Sequence, residues 1–424
     1  MTMAVRRAVI TGIGVVSPGS TGKESFWELL SNGRSATRRI RAFDPTGHRS
    51  QVAAECDFDP IAEGLTFREA RANDRVTQFA LVAAREALAD SGLEVTSGLA
   101  ERTATALGSA VGGTTTMERE YTVLSNGGRD WVVDPWYTTP HAYDYFLPSS
   151  LAAAVAADVG ASGPAVVISN GCTSGIDSVG YAKELIEFGE ADVVVTGASD
   201  APISPITLTC FDILKATSAC NDTPETACRP FDRERTGLIL GEGAAILILE
   251  ELEHALKRGA RIYAEVSGHA TRCNALHMTG LTTHGREMSE AINRALDEAE
   301  LSPTDVDYVN AHGSGTQQND KHETAAVKAS LGAHAYQIPM SGIKSMIGHS
   351  LGAVGSLEIA ACALSMQRDV ILPTVNLFVP DPDCDLDYVP NEAREGHIDV
   401  ALSVGSGFGG FQSAIILSNP ERKR

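Results

Sequence analysis

None of the eight cysteines stands in a CxxC pair, and their spacing along the chain is irregular. That disfavours both a zinc site and a disulfide framework and suits a reducing compartment. Basic charge is also scarce: 34 Lys and Arg face 54 Asp and Glu, for a net charge of −20. Such a surface repels phosphate, which argues against nucleic acid or an acidic membrane as a partner. Long hydrophobic runs are missing. A candidate such as Leu351 to Met366 is interrupted by Glu358 and several small residues, so no membrane span is expected. At the start, Arg6 and Arg7 lead into strand-like Ala8-Val9-Ile10 and then Gly12, which is not a secretory segment. A cytoplasmic protein is expected, with most of the excess carboxylates serving solubility.

What is present describes an ordinary globule, 43% apolar and 21% charged, with 40 glycines for tight turns and close-packed loops. A chain of 424 residues is long for one simple core and suits two fused halves. No low-complexity linker divides it, but a faint duplication is visible. The opening VRRAVITGIGVVSPG is echoed by ARIYAEVSGHATR, and RTATALGSAVGGTTT by DVDYVNAHGSGTQQ. ISNGCTSGIDSVG is echoed by IKSMIGHSLGAVGSLE, and ADVVVTGASDAP by HIDVALSVGSGFGG. Each match is weak; their shared order implies two related α/β halves, residues 1–259 and 260–424, each a mixed sheet with helices on its faces.

The densest chemical signal is Val166 to Gly189. Val166, Val167 and Ile168 read as a buried strand, and Ile176, Val179, Leu185 and Ile186 as the apolar face of a helix ending near Gly189. Cys172 falls between them, at or just before the helix N-terminus, where unpaired N–H groups favour a thiolate. A single cysteine more often only packs. Two histidines shift the balance: His312 follows the strand-like Val306 to Val309, and His349 follows Met340 to Ile343 and precedes a helix beginning near Ser350. Both lie among glycines where α/β sheets build substrate loops.

These motifs, GCTSGIDSVG, NAHGSGT, IKSMIGHSLGA and GSGFGGFQSA, resemble those of the β-ketoacyl synthases of the thiolase superfamily. With QQNDKHETAA after the first histidine, they are most similar to the ketosynthase-alpha subunits of type II aromatic polyketide synthases. The resemblance spans essentially the whole chain. It implies an α/β, thiolase-like fold: duplicated halves with two sheets around buried central helices, in five α-β-α-β-α layers.

It also implies a chemistry, the decarboxylative condensation of a malonyl thioester with an enzyme-bound acyl thioester. Cys172 would carry the acyl group, and the amides of Cys172 and Phe408 would hold the oxyanion, with Phe408 as a gate. Neutral His312 and His349 would stabilise the enolate. Lys344 would pair with an acidic residue, matched by Glu323, with Asp320 as a nearby candidate. No metal or organic cofactor is implied, since substrates arrive on the phosphopantetheine of an acyl carrier protein. That arm would run along Ser314, Thr316 and Thr279. The carrier would meet a local basic patch including Arg68, Arg71 and Lys215, although Cys220 stands where many relatives carry a basic residue. The expected partner is a chain-length factor of the same fold, in a heterodimer.

The alternatives are narrower. A biosynthetic thiolase needs a second cysteine where Phe408 stands, the chalcone-synthase branch pairs Cys with His and Asn, and a chain-length factor lacks the cysteine. A homodimeric fatty-acid ketosynthase shares the chemistry and is the main rival. A hydrolytic thiol enzyme would need a positioned water that no residue here suggests.

Overall fold

The computed structural model describes residues 6–130 and 135–422. A sheet covered on both faces needs strands apolar on both faces, and the all-buried GAAILILE run of Gly243–Glu251 is of that kind. The first half contributes β1 (Ala8–Ser17), β2 (Thr103–Gly108), β3 (Ala165–Ile168), β4 (Val193–Asp200) and β5 (Gly243–Glu251). The second contributes β6 (Ala264–Cys273), β7 (Tyr308–Asn310), β8 (Met340–Ser341), β9 (Val400–Gly407) and β10 (Phe411–Ser418). Their spatial order is β8-β7-β9-β10-β6-β1-β5-β4-β2-β3. Counting outward from the middle, the first half runs 1, 5, 4, 2, 3. The second half repeats that order with every label raised by five.

Helices repeat in the same way. In the first half α1 (Arg75–Ser91) covers β1 and β5, and α2 (Ser150–Val159) covers β2 and β3. In the second, α4 (Arg286–Glu298) covers β6 and β10 and packs on α5 (Gln317–Leu331). The outer helices lie directly on strand backbone. A Cβ on Gly12 would come within 2.2 Å of Ala87 O of α1, and one on Gly268 within 2.1 Å of Ala295 O of α4. Between the halves lie α3 (Ser174–Glu187) and α6 (Val354–Arg368), which touch each other and strands of both halves. The result is the five-layered thiolase-like arrangement. Residues Val354 to Met366 of α6 are buried on every side, which is why its sequence is small and apolar all round.

Three local expectations change. The two sheets are joined into one through a short antiparallel ladder, Ala8 to Ile10 of β1 against Ala264 to Val266 of β6. Strand β3 is an edge, with Ala165 exposed and its other residues half-buried, and not a core strand. A β-branched run fits an edge that another surface covers as well as it fits a core. A 3-10 turn precedes each central helix, Gly171–Thr173 before α3 and Leu351–Ala353 before α6, so α6 starts later than the Ser350 expected while α3 starts just after Cys172 as expected. Among the described residues no helix is long and apolar enough to cross a membrane.

Candidate active site

Cys172 sits in the 3-10 turn between β3 and α3, with its side chain buried. The turn is possible because Gly171 takes φ +59°, a left-handed conformation that costs a glycine little. Across from it runs the hairpin between β9 and β10. Gly407 passes so near the turn that a Cβ there would lie 3.2 Å from both Cys172 N and Asn170 O. The next residue, Phe408, turns its amide toward the cysteine sulfur and stacks its ring on Phe211, centroids 5.8 Å apart.

His312 and His349 meet edge to face, with ring centroids 5.2 Å apart and planes at 79°. Both are buried. Burial, reinforced by the charge on Lys344, holds both imidazoles well below the ordinary histidine range, so both are neutral. The tautomer of His349 follows from its surroundings: Leu351 N donates to Nδ1 at 3.2 Å, which leaves the proton on Nε2. That nitrogen is a donor. Among the described residues His312 Nδ1 is buried with no hydrogen-bond partner.

Cys172, His312, His349 and Phe408 line one cavity of about 310 Å³. Ser314, Thr316 and Thr279 line the same cavity, and Lys215 stands in its wall. The Ser314 and Thr316 hydroxyls are 3.0 Å apart. Arg68 and Arg71 lie elsewhere, on the short helix Phe67–Ala72, and neither is part of that wall. Cys220 is half-buried, with its sulfur 3.3 Å from Thr223 Oγ1.

Two expectations are corrected by the charged residues behind the cavity. Lys344 pairs with Glu358, not with Glu323 or Asp320, and both side chains of the pair are fully buried. Glu323 instead accepts the backbone N–H of His312 at 2.5 Å and of Gly313 at 2.9 Å, so it holds the histidine loop by its main chain. Asp320 is likewise occupied, by Arg235 at 3.3 Å and by Phe231 N at 2.8 Å. Burial raises Glu323 to about 8 and Glu358 to about 7, and Lys344 opposes the rise in both. The second correction concerns the ionisation of Cys172. Burial pushes the Cys172 thiol up to about 12, outweighing the Lys344 charge and the Phe408 amide, so the resting group is a thiol and not the thiolate a helix N-terminus would favour.

Three residues of the site were not singled out from the sequence. Glu358 carried a signal: a lone carboxylate in a helix buried all round must be paired. Asp200, at the end of β4, accepts from Ser109 Oγ, Ala110 N, Val111 N and Gly352 N, tying the loop after β2 to the start of α6. Asp177 is the third. Among the described residues, no cluster of three or more His, Cys, Asp and Glu side chains is grouped to hold a metal.

The comparisons with known proteins agree with this geometry. Residues 5–255 match the β-ketoacyl synthase N-terminal domain and residues 263–378 the β-ketoacyl synthase C-terminal domain. The chain is 61% identical to the oxytetracycline polyketide putative β-ketoacyl synthase 1 of Streptomyces rimosus, over 99% of this chain and 98% of the relative. It is 59% identical to the tetracenomycin polyketide synthase ketoacyl synthase alpha subunit of Streptomyces glaucescens, over 99% of each. Among solved structures, a type II polyketide synthase acyl carrier protein in complex with its ketosynthase bound to the hexaketide matches with TM-score 0.92 and 38% identity. That match covers 99% of this chain and 100% of the other. The ishigamide ketosynthase/chain length factor matches with TM-score 0.89 and 34% identity, over 98% and 100%. The chain therefore belongs to the β-ketoacyl synthase family of condensing enzymes, closely related to the ketosynthase-alpha subunits of type II aromatic polyketide synthases.

Proposed function

We propose that this chain is the condensing subunit of a type II aromatic polyketide synthase and carries the growing poly-β-keto chain as a thioester on Cys172. The observation that carries the reading is one cavity shared by a buried thiol and two neutral, mutually contacting imidazoles. Residues 1–259 supply the nucleophile and residues 260–424 the two histidines.

In the first step Cys172 Sγ attacks the acyl thioester on the carrier's pantetheine. The bond from the acyl carbon to the carrier sulfur breaks, and the thiol proton leaves with that sulfur. The negative oxygen of the tetrahedral intermediate is held by the amides of Cys172 and Phe408. A malonyl thioester then enters along Ser314, Thr316 and Thr279. Loss of carbon dioxide leaves an electron pair that runs onto the thioester oxygen, where the N–H groups of His312 and His349 hold it. A carboxylate in either place would repel that charge. The carbanion attacks the acyl carbon on Cys172 and expels the sulfur, which the buried site returns to the thiol by uptake of a solvent proton. Burial, reinforced by the charge on Lys344, keeps both histidines unprotonated.

The same reading includes two protein partners. The solved relatives include a ketosynthase with its acyl carrier protein and a ketosynthase with a chain length factor. Supporting a heterodimer here are the edge strand β3 and the exposed Trp136, Tyr137, Tyr143 and Phe146. On that side lies a second cavity of about 450 Å³, lined by Ala110, Val111, Met117, Phe146, Leu151 and Val167, of which Ala110 and Val111 pack against the apolar cluster that contains Cys172. Docking of the carrier near Arg68, Arg71 and Lys215 belongs to this reading, as does a cytoplasmic location, supported by eight free cysteines. The test is intact-mass analysis and peptide mapping after incubation with partner and malonyl-loaded carrier. Acyl mass on Cys172 alone is the expected result; label on Cys210 or Cys273 in its place overturns it.

A further inference from the structure

The two amides that face the cysteine sulfur come from opposite halves of the chain. Cys172 N belongs to the turn before α3, whereas Phe408 N belongs to the β9–β10 hairpin. Stabilising an oxyanion requires both donors fixed to within a fraction of an ångström before reaction, because a donor that must move into place gives back much of its effect. Something has to lock one half against the other at this point.

Asp177 is built to do that. It lies in the first turn of α3, one turn beyond Cys172, with its side chain 5% exposed. Oδ2 accepts Asn170 Nδ2 at 2.8 Å and Thr173 Oγ1 at 2.8 Å, residues that flank the Gly171-Cys172 pair on both sides. Oδ1 accepts Ser413 Oγ at 2.6 Å and lies 3.3 Å from His269 Nε2. Ser413 is on β10, opposite Gly405 of β9, so it sits at the base of the hairpin that presents Phe408. Its hydroxyl is also 3.2 Å from Thr271 Oγ1 of β6. One carboxylate thus engages four side chains, two from the cysteine turn and two from the opposite half. A negative charge at a helix N-terminus is favourable anywhere on a protein surface. Burying it among four donors from two halves is a costlier arrangement than helix stability requires.

We propose that Asp177 is a positioning residue for acyl transfer: it clamps the Cys172 turn to the Phe408 hairpin and so sets the spacing of the two oxyanion-binding amides. The proposal rests on the roles given above to Cys172 and Phe408. It makes a selective claim, because the histidines that stabilise the enolate hang from other supports, Glu323 under His312 and the Leu351 amide at His349. Asp177 therefore matters for the step that uses the amides and not for the step that uses the imidazoles.

Asp177→Asn puts an amide N–H against groups that are themselves donors, which opens the clamp at nearly unchanged volume. With the partner subunit present, two rates are measured: acyl transfer from an acyl-loaded carrier onto Cys172, read by intact mass, and carbon dioxide release from malonyl carrier in a Cys172→Ala background. Acyl transfer is expected to fall by about 100-fold, the size seen when one oxyanion donor is lost. Decarboxylation and the carrier concentration for half-maximal rate are expected to stay within about two-fold. Ser413→Ala cuts only the tie to the hairpin and serves if Asp177→Asn does not fold. It is expected to give a smaller loss in acyl transfer alone, with no further loss when combined with Asp177→Asn. Acyl transfer at the wild-type rate in either variant overturns the proposal, as does an equal fall in both reactions. Acylation of a cysteine other than Cys172 in the otherwise unaltered protein is a different outcome and overturns the underlying reading instead.

Discussion

His312 and His349 illustrate how burial, not residue type, sets the chemistry of a side chain. Each imidazole binds fewer protons in the folded protein than in the unfolded chain from its depressed native value up to an ordinary pKa of about 6.5. Their contribution to stability is therefore complete above about pH 6.5 and is lost as pH falls through the native values. Unfolding free energy followed from pH 7 to pH 5 should fall less steeply in His349→Gln than in the unaltered protein; an identical slope would mean that His349 is already charged. In the Cys172→Ala background, replacing either histidine by Ala should slow release of carbon dioxide from malonyl carrier by about 100-fold if each N–H supplies a few kcal/mol at the enolate oxygen. Release at the unaltered rate in His349→Ala would end the two-histidine mechanism. The Lys344–Glu358 pair follows a different rule. Glu358→Gln leaves an ammonium buried without its counter-charge, and the expected cost is about 3–5 kcal/mol in urea unfolding. The double variant Lys344→Met with Glu358→Leu should recover most of that stability and none of the activity. If it recovered activity, the pair would be only packing.

At the scale of elements, the site is assembled where two turns meet and neither can be built alone. The 3-10 turn that carries Cys172 and the hairpin that carries Phe408 approach at Gly407, so closely that the smallest side chain would press on Cys172 N. Gly407→Ala should fold, because the conflict is a few tenths of an ångström at two backbone contacts, but it should separate the amides and lower acyl transfer more than ten-fold. Acylation kinetics by intact mass check this, and an unaltered rate would show that the hairpin tolerates displacement. Much at this scale was legible beforehand. Each of the four echoes between the halves falls on a pair of elements that occupy equivalent places: β1 with β6, β2 with β7, the Cys172 turn with the His349 turn, β4 with β9. The helix starts were less legible. A residue in a 3-10 turn and one in the first turn of an α-helix show the same apolar spacing over so short a stretch.

For the whole molecule, the exposed aromatics and the edge position of β3 among the described strands predict an obligate partner. Produced alone, the chain should be poorly soluble or an inactive homodimer; produced with a chain-length factor it should elute as a heterodimer and extend malonyl units. Amide exchange over 165–168 should slow sharply in the pair. An isolated chain that elongates saturated acyl carriers unaided would favour the fatty-acid reading.

The sequence by itself determined the family and the duplicated plan and brought out Cys172, His312 and His349 as the candidate site, because each rests on residues adjacent in the chain or on a repeated order of short motifs. It could not determine which carboxylate pairs with Lys344. Glu323 lies 21 residues before it and Glu358 14 after, and only helix packing brings Glu358 onto the ammonium while turning Glu323 toward the backbone of His312. The ionisation of Cys172 was decided in the same way. The helix N-terminus is a local feature and favours a thiolate, but the desolvation that keeps the sulfur protonated comes from residues of both halves closing over it, a property that exists only in the folded chain.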